Sequence, residues 1–121
     1  METKKVLITG GNRGIGKGIV EGFLENGNQV LATCRDITKF PIKSDHLTVA
    51  ELDISDTDSV ENFKKIADEF GPEILVNNAG ITKDNIFLRM SDDEWLDVID
   101  TNLTGTFRVT KLVAKGMLKP K

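Results

Sequence analysis

The apolar positions fall into short unbroken runs separated by longer stripes of helical period. Val6, Leu7, Ile8 and Thr9 form a run bounded by glycine, which predicts a strand buried on both faces. From Ile15 the period changes to i, i+4. Ile15, Ile19 and Phe23, with Val20 and Leu24, predict a helix ending at Gly27. Val30, Leu31, Ala32 and Thr33 predict a second strand. Residues 36–45, with Pro41 and mixed polarity, predict a loop, and Leu47 to Leu52 a third strand. Ser55 or Asp56 caps a helix whose apolar face is Val60, Phe63, Ile66, Ala67 and Phe70, closed by Gly71. Ile74, Leu75 and Val76 predict a fourth strand. Ser91 and Glu94 have capping-box spacing and start a helix carrying Trp95, Val98 and Ile99. A further helix is predicted from about Asn102 to Met117, with Leu103, Phe107, Val113 and Met117 apolar and Lys111, Lys115 and Lys119 crowding its end. Strands alternating with helices imply an α/β fold, a doubly wound parallel sheet in the order 3-2-1-4, in one domain over residues 1–121.

Composition changes this picture little. Apolar residues make up 39% and charged residues 29%, which excludes a disordered chain. A net charge of −3 gives no electrostatic case for nucleic acid or an anionic membrane as partner. No apolar stretch approaches a membrane span, and the polar start at Met1 to Lys5 does not read as a signal peptide. The single cysteine, Cys34, allows no internal disulfide and fits a cytoplasmic protein. Cys34 is expected to pack as a small hydrophobe, and the sole histidine, His46, to lie at the surface. No cluster has metal-ligand spacing, so no metal is expected.

The chemistry sits at the strand ends. Thr9, Gly10, Gly11, Asn12, Arg13, Gly14, Ile15 and Gly16 lie between a predicted strand and a predicted helix. In that context the first glycine makes a tight turn, bare backbone approaches phosphate, and the last glycine lets the helix pack close to the sheet. The helix N-terminus then offers free amides and partial positive charge to a pyrophosphate. An ordinary strand-to-helix turn would need only one or two of these glycines.

The spacing T-G-x-x-x-G-I-G resembles the cofactor loop of the short-chain dehydrogenase/reductases. Asn77, Asn78, Ala79 and Gly80 resemble the N-N-A-G motif of that family, and Asp53 with Ile54 resembles its pair at the adenine ring. Taken alone, Asp53 would merely start a turn, and Asn77 and Asn78 would only tie loops. Ile81, Thr82, Lys83, Asp84 and Asn85, then Leu88, Arg89 and Met90, Trp95, and Thr101, Asn102, Leu103, Thr104 and Gly105 are similar to the middle of 3-oxoacyl-[acyl-carrier-protein] reductases. The resemblance implies the N-terminal half of a Rossmann-type sheet. It implies NADPH-dependent reduction of 3-oxoacyl-[acyl-carrier-protein] to the 3-hydroxyacyl form in fatty-acid biosynthesis, by a homotetramer whose interface includes the last helix, with a related short-chain carbonyl or sugar-alcohol reductase, or a non-catalytic nucleotide-binding fragment, as the alternatives. It places Gly10, Asn12, Arg13, Gly14, Ile15 and Gly16 at phosphate and ribose, Asp53 and Ile54 at adenine, and Asn78, Ala79 and Gly80 beside the ribose. Asn102 matches the asparagine of the catalytic set of the family, which kinks its helix and holds a relay water. Its residue-level alternative is an asparagine that caps a helix start.

The choice of nicotinamide cofactor turns on the residues after the second strand. An NAD enzyme places there a carboxylate that accepts from the ribose 2′-hydroxyl. Cys34 holds that position, Arg35 follows it, and Arg13 stands in the loop, a pair of guanidinium groups suited to a 2′-phosphate. NADPH is therefore expected. A small shift of register would instead make Asp36 the ribose ligand of NADH.

The family's proton donor is a tyrosine in Tyr-x-x-x-Lys, preceded by a serine. The chain has no tyrosine and reaches Lys121 before either motif is met. By resemblance it is expected to be a fragment truncated before the catalytic half, inactive alone, with Ile74 to Val76 left as an exposed sheet edge.

Overall fold

The computed structural model describes residues 3–12, 14–80 and 87–118, with Phe87 described in its backbone only. Arg13 and residues 81–85 lie outside the described residues. Four parallel strands, β1 (Lys5–Ile8), β2 (Gln29–Cys34), β3 (Leu47–Glu51) and β4 (Ile74–Val76), pair in the order β3-β2-β1-β4. The expected topology is therefore present.

Alternate side chains of each strand face opposite layers. Leu7, Leu31, Ala50 and Leu52 meet Val60, Phe63 and Ala67 of α2 (Thr57–Phe70) and Val109 and Val113 of α4 (Thr106–Met117). Val6, Ile8, Val30 and Ala32 meet Val20 of α1 (Gly14–Glu25), with Ile19, Phe23, Leu24 and Phe40 packed around them. Both faces are covered, which is why the central strands read as unbroken apolar runs. Asp56 resolves the capping alternative: its carboxylate accepts from the amides of Asp58 at 2.9 Å and Ser59 at 3.4 Å. Gly71 ends α2 in the left-handed conformation at φ 66°.

Three details differ from the sequence expectation. Ile15 was placed in the apolar stripe of α1 but is 80% exposed; Gly16 and Val20 face inward instead. The loop after β2 contains a 3-10 turn, Ile37–Lys39. The last two helices are continuous: α3 (Asp92–Ile99) passes through a π-helical turn, Asp100–Gly105, directly into α4. Asn102 therefore does not start a helix. Of the apolar residues predicted along this helix, Leu103 and Phe107 are exposed, whereas Val113 is buried with Val109. At about 100° per residue Phe107 lies on a different side of α4 from Val109 and Val113. No helix among the described residues is long and apolar enough to cross a membrane.

Phe63 is fully enclosed between α2, the sheet and α4. Phe63→Ala is expected to destabilise the fold by about 3–5 kcal/mol in urea unfolding, and a loss near zero would contradict this core assignment.

Candidate cofactor site

The site begins with a threonine hydroxyl. Thr9, buried at the end of β1, accepts at Oγ1 from the backbone amides of Asn78 and Ala79, each at 3.1 Å. The same hydroxyl lies 3.5 Å from the Val76 carbonyl, to which it donates. Asn78 returns the connection, its Nδ2 donating to the Gly10 carbonyl at 2.8 Å. The glycine loop is tied to β2 as well: the Gly10 amide donates to Thr33 Oγ1 at 3.3 Å and the Gly11 amide to the Thr33 carbonyl at 3.0 Å. Asn77 ties the other side, donating from Nδ2 to Thr110 Oγ1 of α4 at 3.0 Å.

These contacts press backbones so close that side chains do not fit. A Cβ on Gly10 would stand 2.8 Å from Ala79 Cα, and Gly10 also adopts a positive φ of 70°. A Cβ on Gly16 would stand 2.2 Å from the Gly10 carbonyl oxygen, so only glycine lets α1 lie against the loop, as expected. Two further close approaches were not anticipated. Gly105 faces the Ile54 carbonyl at 2.6 Å from its Cβ position, which sets the π turn against the loop after β3. Gly80 faces Asn102, whose Oδ1 lies 2.9 Å from the corresponding position. The glycine of Asn78-Ala79-Gly80 thus makes room for Asn102.

Around this frame opens a cleft of about 710 Å³ at the carboxyl ends of the strands. Gly10, Asn12, Arg35, Asp53, Ile54, Asn78, Ala79 and Gly80, all expected at the cofactor, line it together. Gly14, Ile15, Gly16 and Asn102 are not among its lining residues. Arg13 lies outside the described residues. Sequence reasoning missed Lys39, Asp97, Asp100 and Thr101 as wall residues. Asp53 also does what its bland reading required: its Oδ1 accepts from the Ser55 amide at 3.0 Å and the Ser55 hydroxyl at 2.6 Å.

The chain matches the short chain dehydrogenase family model over residues 4–121. It belongs to the short-chain dehydrogenase family. It is 43% identical to the 3-oxoacyl-[acyl-carrier-protein] reductase FabG of Vibrio cholerae, an alignment covering 100% of this chain and 52% of that relative. It superposes on a short chain dehydrogenase from Leptospira borgpetersenii with bound NAD+ at a TM-score of 0.84, with 28% identity, over 95% of this chain and 46% of that one. The NADPH-bound carbonyl reductase from chicken fatty liver gives a TM-score of 0.84 and 28% identity, over 95% of this chain and 48% of that one. The chain therefore spans about half the length of the relatives it matches.

Cys34 forms part of the cleft wall yet is buried. Burial pushes its thiol pKa up; a hydrogen bond from the Asp36 backbone opposes this, and the charges of Asp36 and Glu51 add to the rise. A raised pKa leaves the thiol protonated at neutral pH, where it is a poor nucleophile. Iodoacetamide is accordingly expected to alkylate native Cys34 at least about tenfold more slowly than the unfolded chain at pH 8, and equal rates would contradict its protonated, buried state.

Proposed function

We propose that this chain is the nucleotide-binding part of an NADPH-dependent reductase of 3-oxoacyl-[acyl-carrier-protein], a cytoplasmic enzyme of fatty-acid biosynthesis. The observation that carries the reading is the convergence of the glycine loop, Arg35, the pair after β3 and the Asn78-Ala79-Gly80 segment on one cleft. Open parallel sheets bind ligands at this edge.

The cleft fits a dinucleotide in size; its described charged residues are Arg35 and Lys39 together with Asp36, Asp53, Asp97 and Asp100. Its volume is in the range that encloses organic cofactors. The first turn of α1 carries no acidic residue, whereas α2 begins with Asp58 and α3 with Asp92, Asp93 and Glu94. The N-termini of α2 and α3 are met by their own carboxylates; that of α1 is left to an outside anion, as a pyrophosphate-binding helix requires. Nothing lies within 4 Å of the Cβ position of Gly14. In this reading Gly10, Asn12, Arg13, Gly14, Ile15 and Gly16 serve the phosphates and ribose, and Arg35 the 2′-phosphate. Asp53 and Ile54 border the adenine, and Asn78, Ala79 and Gly80 the ribose. Bound here, the nicotinamide would supply a hydride to a carbonyl carbon.

Asn102, held beside Gly80 within the π turn, is the proposed water-holding group of the proton relay. The 121 residues include no tyrosine, so no residue of this chain is assigned the role of proton donor. The gathering of nucleotide-binding residues on one cleft also fits a second reading, a nucleotide-binding module without turnover. Acyl-carrier-protein-bound substrate is the proposed partner, supported by the likeness to FabG. A homotetramer is proposed for the assembled enzyme, supported by the exposed Trp95, Leu96, Leu103 and Phe107 along α3 and α4.

Binding and turnover separate the two readings. For the protein as purified from its natural source, NADPH oxidation that depends on a 3-oxoacyl thioester would support the reductase, and saturable NADPH fluorescence without oxidation would support the module. Gly14 has a positive φ of 57°, so Gly14→Val both strains the turn and fills the open approach; it is expected to abolish NADPH binding, and unchanged affinity would refute the loop assignment. Arg35→Ala is expected to weaken NADPH more than NADH by about 1.5–3 kcal/mol, the range of a charge-assisted hydrogen bond. An equal loss for both cofactors would remove Arg35 from the 2′ position.

A further inference from the structure

We propose that Lys39 is a second determinant of cofactor choice, delivered to the 2′-phosphate by the capped turn after β2; this rests on the NADPH reading above. Two residues after β2 bear opposite chemistry for the 2′ position. Asp36 is the carboxylate an NADH enzyme would use, and Lys39 is a cation that suits a phosphate.

The turn decides between them. Asp36 Oδ1 accepts from the Thr38 amide at 3.1 Å and the Thr38 hydroxyl at 2.6 Å, and Oδ2 lies 3.9 Å from Lys39 Nζ. Oδ1 is thus held by the Ile37–Lys39 turn and Oδ2 faces Lys39, while Asp36 still forms part of the cleft wall. The turn is closed by the Lys39 amide on the Asp36 carbonyl at 3.2 Å and the Phe40 amide on the Ile37 carbonyl at 3.3 Å. It is anchored by Phe40, which packs on the cluster of Val20 and Ala32; its Cζ lies 3.7 Å from the Cβ position of Gly11. A side chain on Gly11 would already collide with Val20, at 2.8 Å, so the ring rests against bare loop backbone.

Lys39 consequently lines the same cleft as Arg35 and the glycine-loop residues Gly10 and Asn12. Its side chain is 81% exposed, so the ammonium keeps most of its hydration while it moves from the carboxylate to an incoming phosphate. A phosphate monoester, with a charge of about −1.5 to −2 at neutral pH, attracts it more strongly than the single carboxylate. Asp36 then has two effects. It caps the turn that positions Lys39, and its carboxylate, at the cleft wall, is already engaged by Thr38 and Lys39.

The test is the dissociation constants of NADPH and NADH for the wild type, Lys39→Met, Asp36→Asn and Arg35→Ala. Methionine keeps the apolar stem and removes the charge; asparagine keeps the capping acceptor. Lys39→Met is expected to weaken NADPH about fivefold to tenfold, to leave NADH within about twofold, and to flatten the salt dependence of NADPH binding. Asp36→Asn is expected to weaken neither cofactor. The inference is overturned if Lys39→Met affects both cofactors alike or neither, or if Asp36→Asn selectively loses NADH. Selective loss of NADPH in Arg35→Ala but not in Lys39→Met would sink Lys39 alone. A wild type that prefers NADH would sink the underlying reading, and Lys39 with it.

Discussion

Everything at the sheet edge depends on one buried hydroxyl. Thr9 Oγ1 holds the amides of Asn78 and Ala79, and Asn78 holds the Gly10 carbonyl. These bonds join segments nearly seventy residues apart in sequence and satisfy polar groups that a closely packed loop would otherwise leave bare. They also bring two backbones into contact, and that contact dictates glycine at 10 and 16. The glycine motif is in this sense partly structural. Gly10 and Gly16 are required by protein neighbours, whereas Gly14 faces open space and is the position whose lack of a side chain suits a ligand.

The second organising contact lies opposite. Gly105 admits the Ile54 carbonyl, and Gly80 admits Asn102, so the π turn is seated against the loops after β3 and β4. A π turn holds one residue more per hydrogen-bonded ring than an α turn and is found frequently at functional sites. Here it places Thr101 in the cleft wall and Asn102 beside Gly80 without interrupting the helix. The cleft is therefore shaped by close approaches of backbone, and its described lining carries the cations Arg35 and Lys39 and the carboxylates Asp36, Asp53, Asp97 and Asp100.

The strands and their order were legible because burial on both faces leaves an unbroken apolar run, as in Val6, Leu7 and Ile8. The cleft residues were legible where a motif repeats a family pattern, as at Gly10, Asp53 and Asn78. The roles of Thr9 and Thr33 were not, because a hydroxyl's partner across the sheet leaves no periodicity in the chain. Which apolar residues of the last helix are buried was not legible, because Leu103, Phe107, Val109 and Val113 are all apolar and only Val109 and Val113 meet the sheet layer. Lys39 was missed since a three-residue turn in a polar stretch carries no apolar pattern.

In the proposed function the Thr9-centred edge is a nicotinamide-dinucleotide site. Backbone amide chemical shifts recorded during an NADPH titration test it most directly. Saturable changes concentrated at Gly10, Asn12, Gly14, Gly16, Arg35, Ile54 and Gly80 are the predicted result. Absence of saturable change there, or its confinement to the acidic surface around Glu51, Asp56 and Asp58, would contradict it.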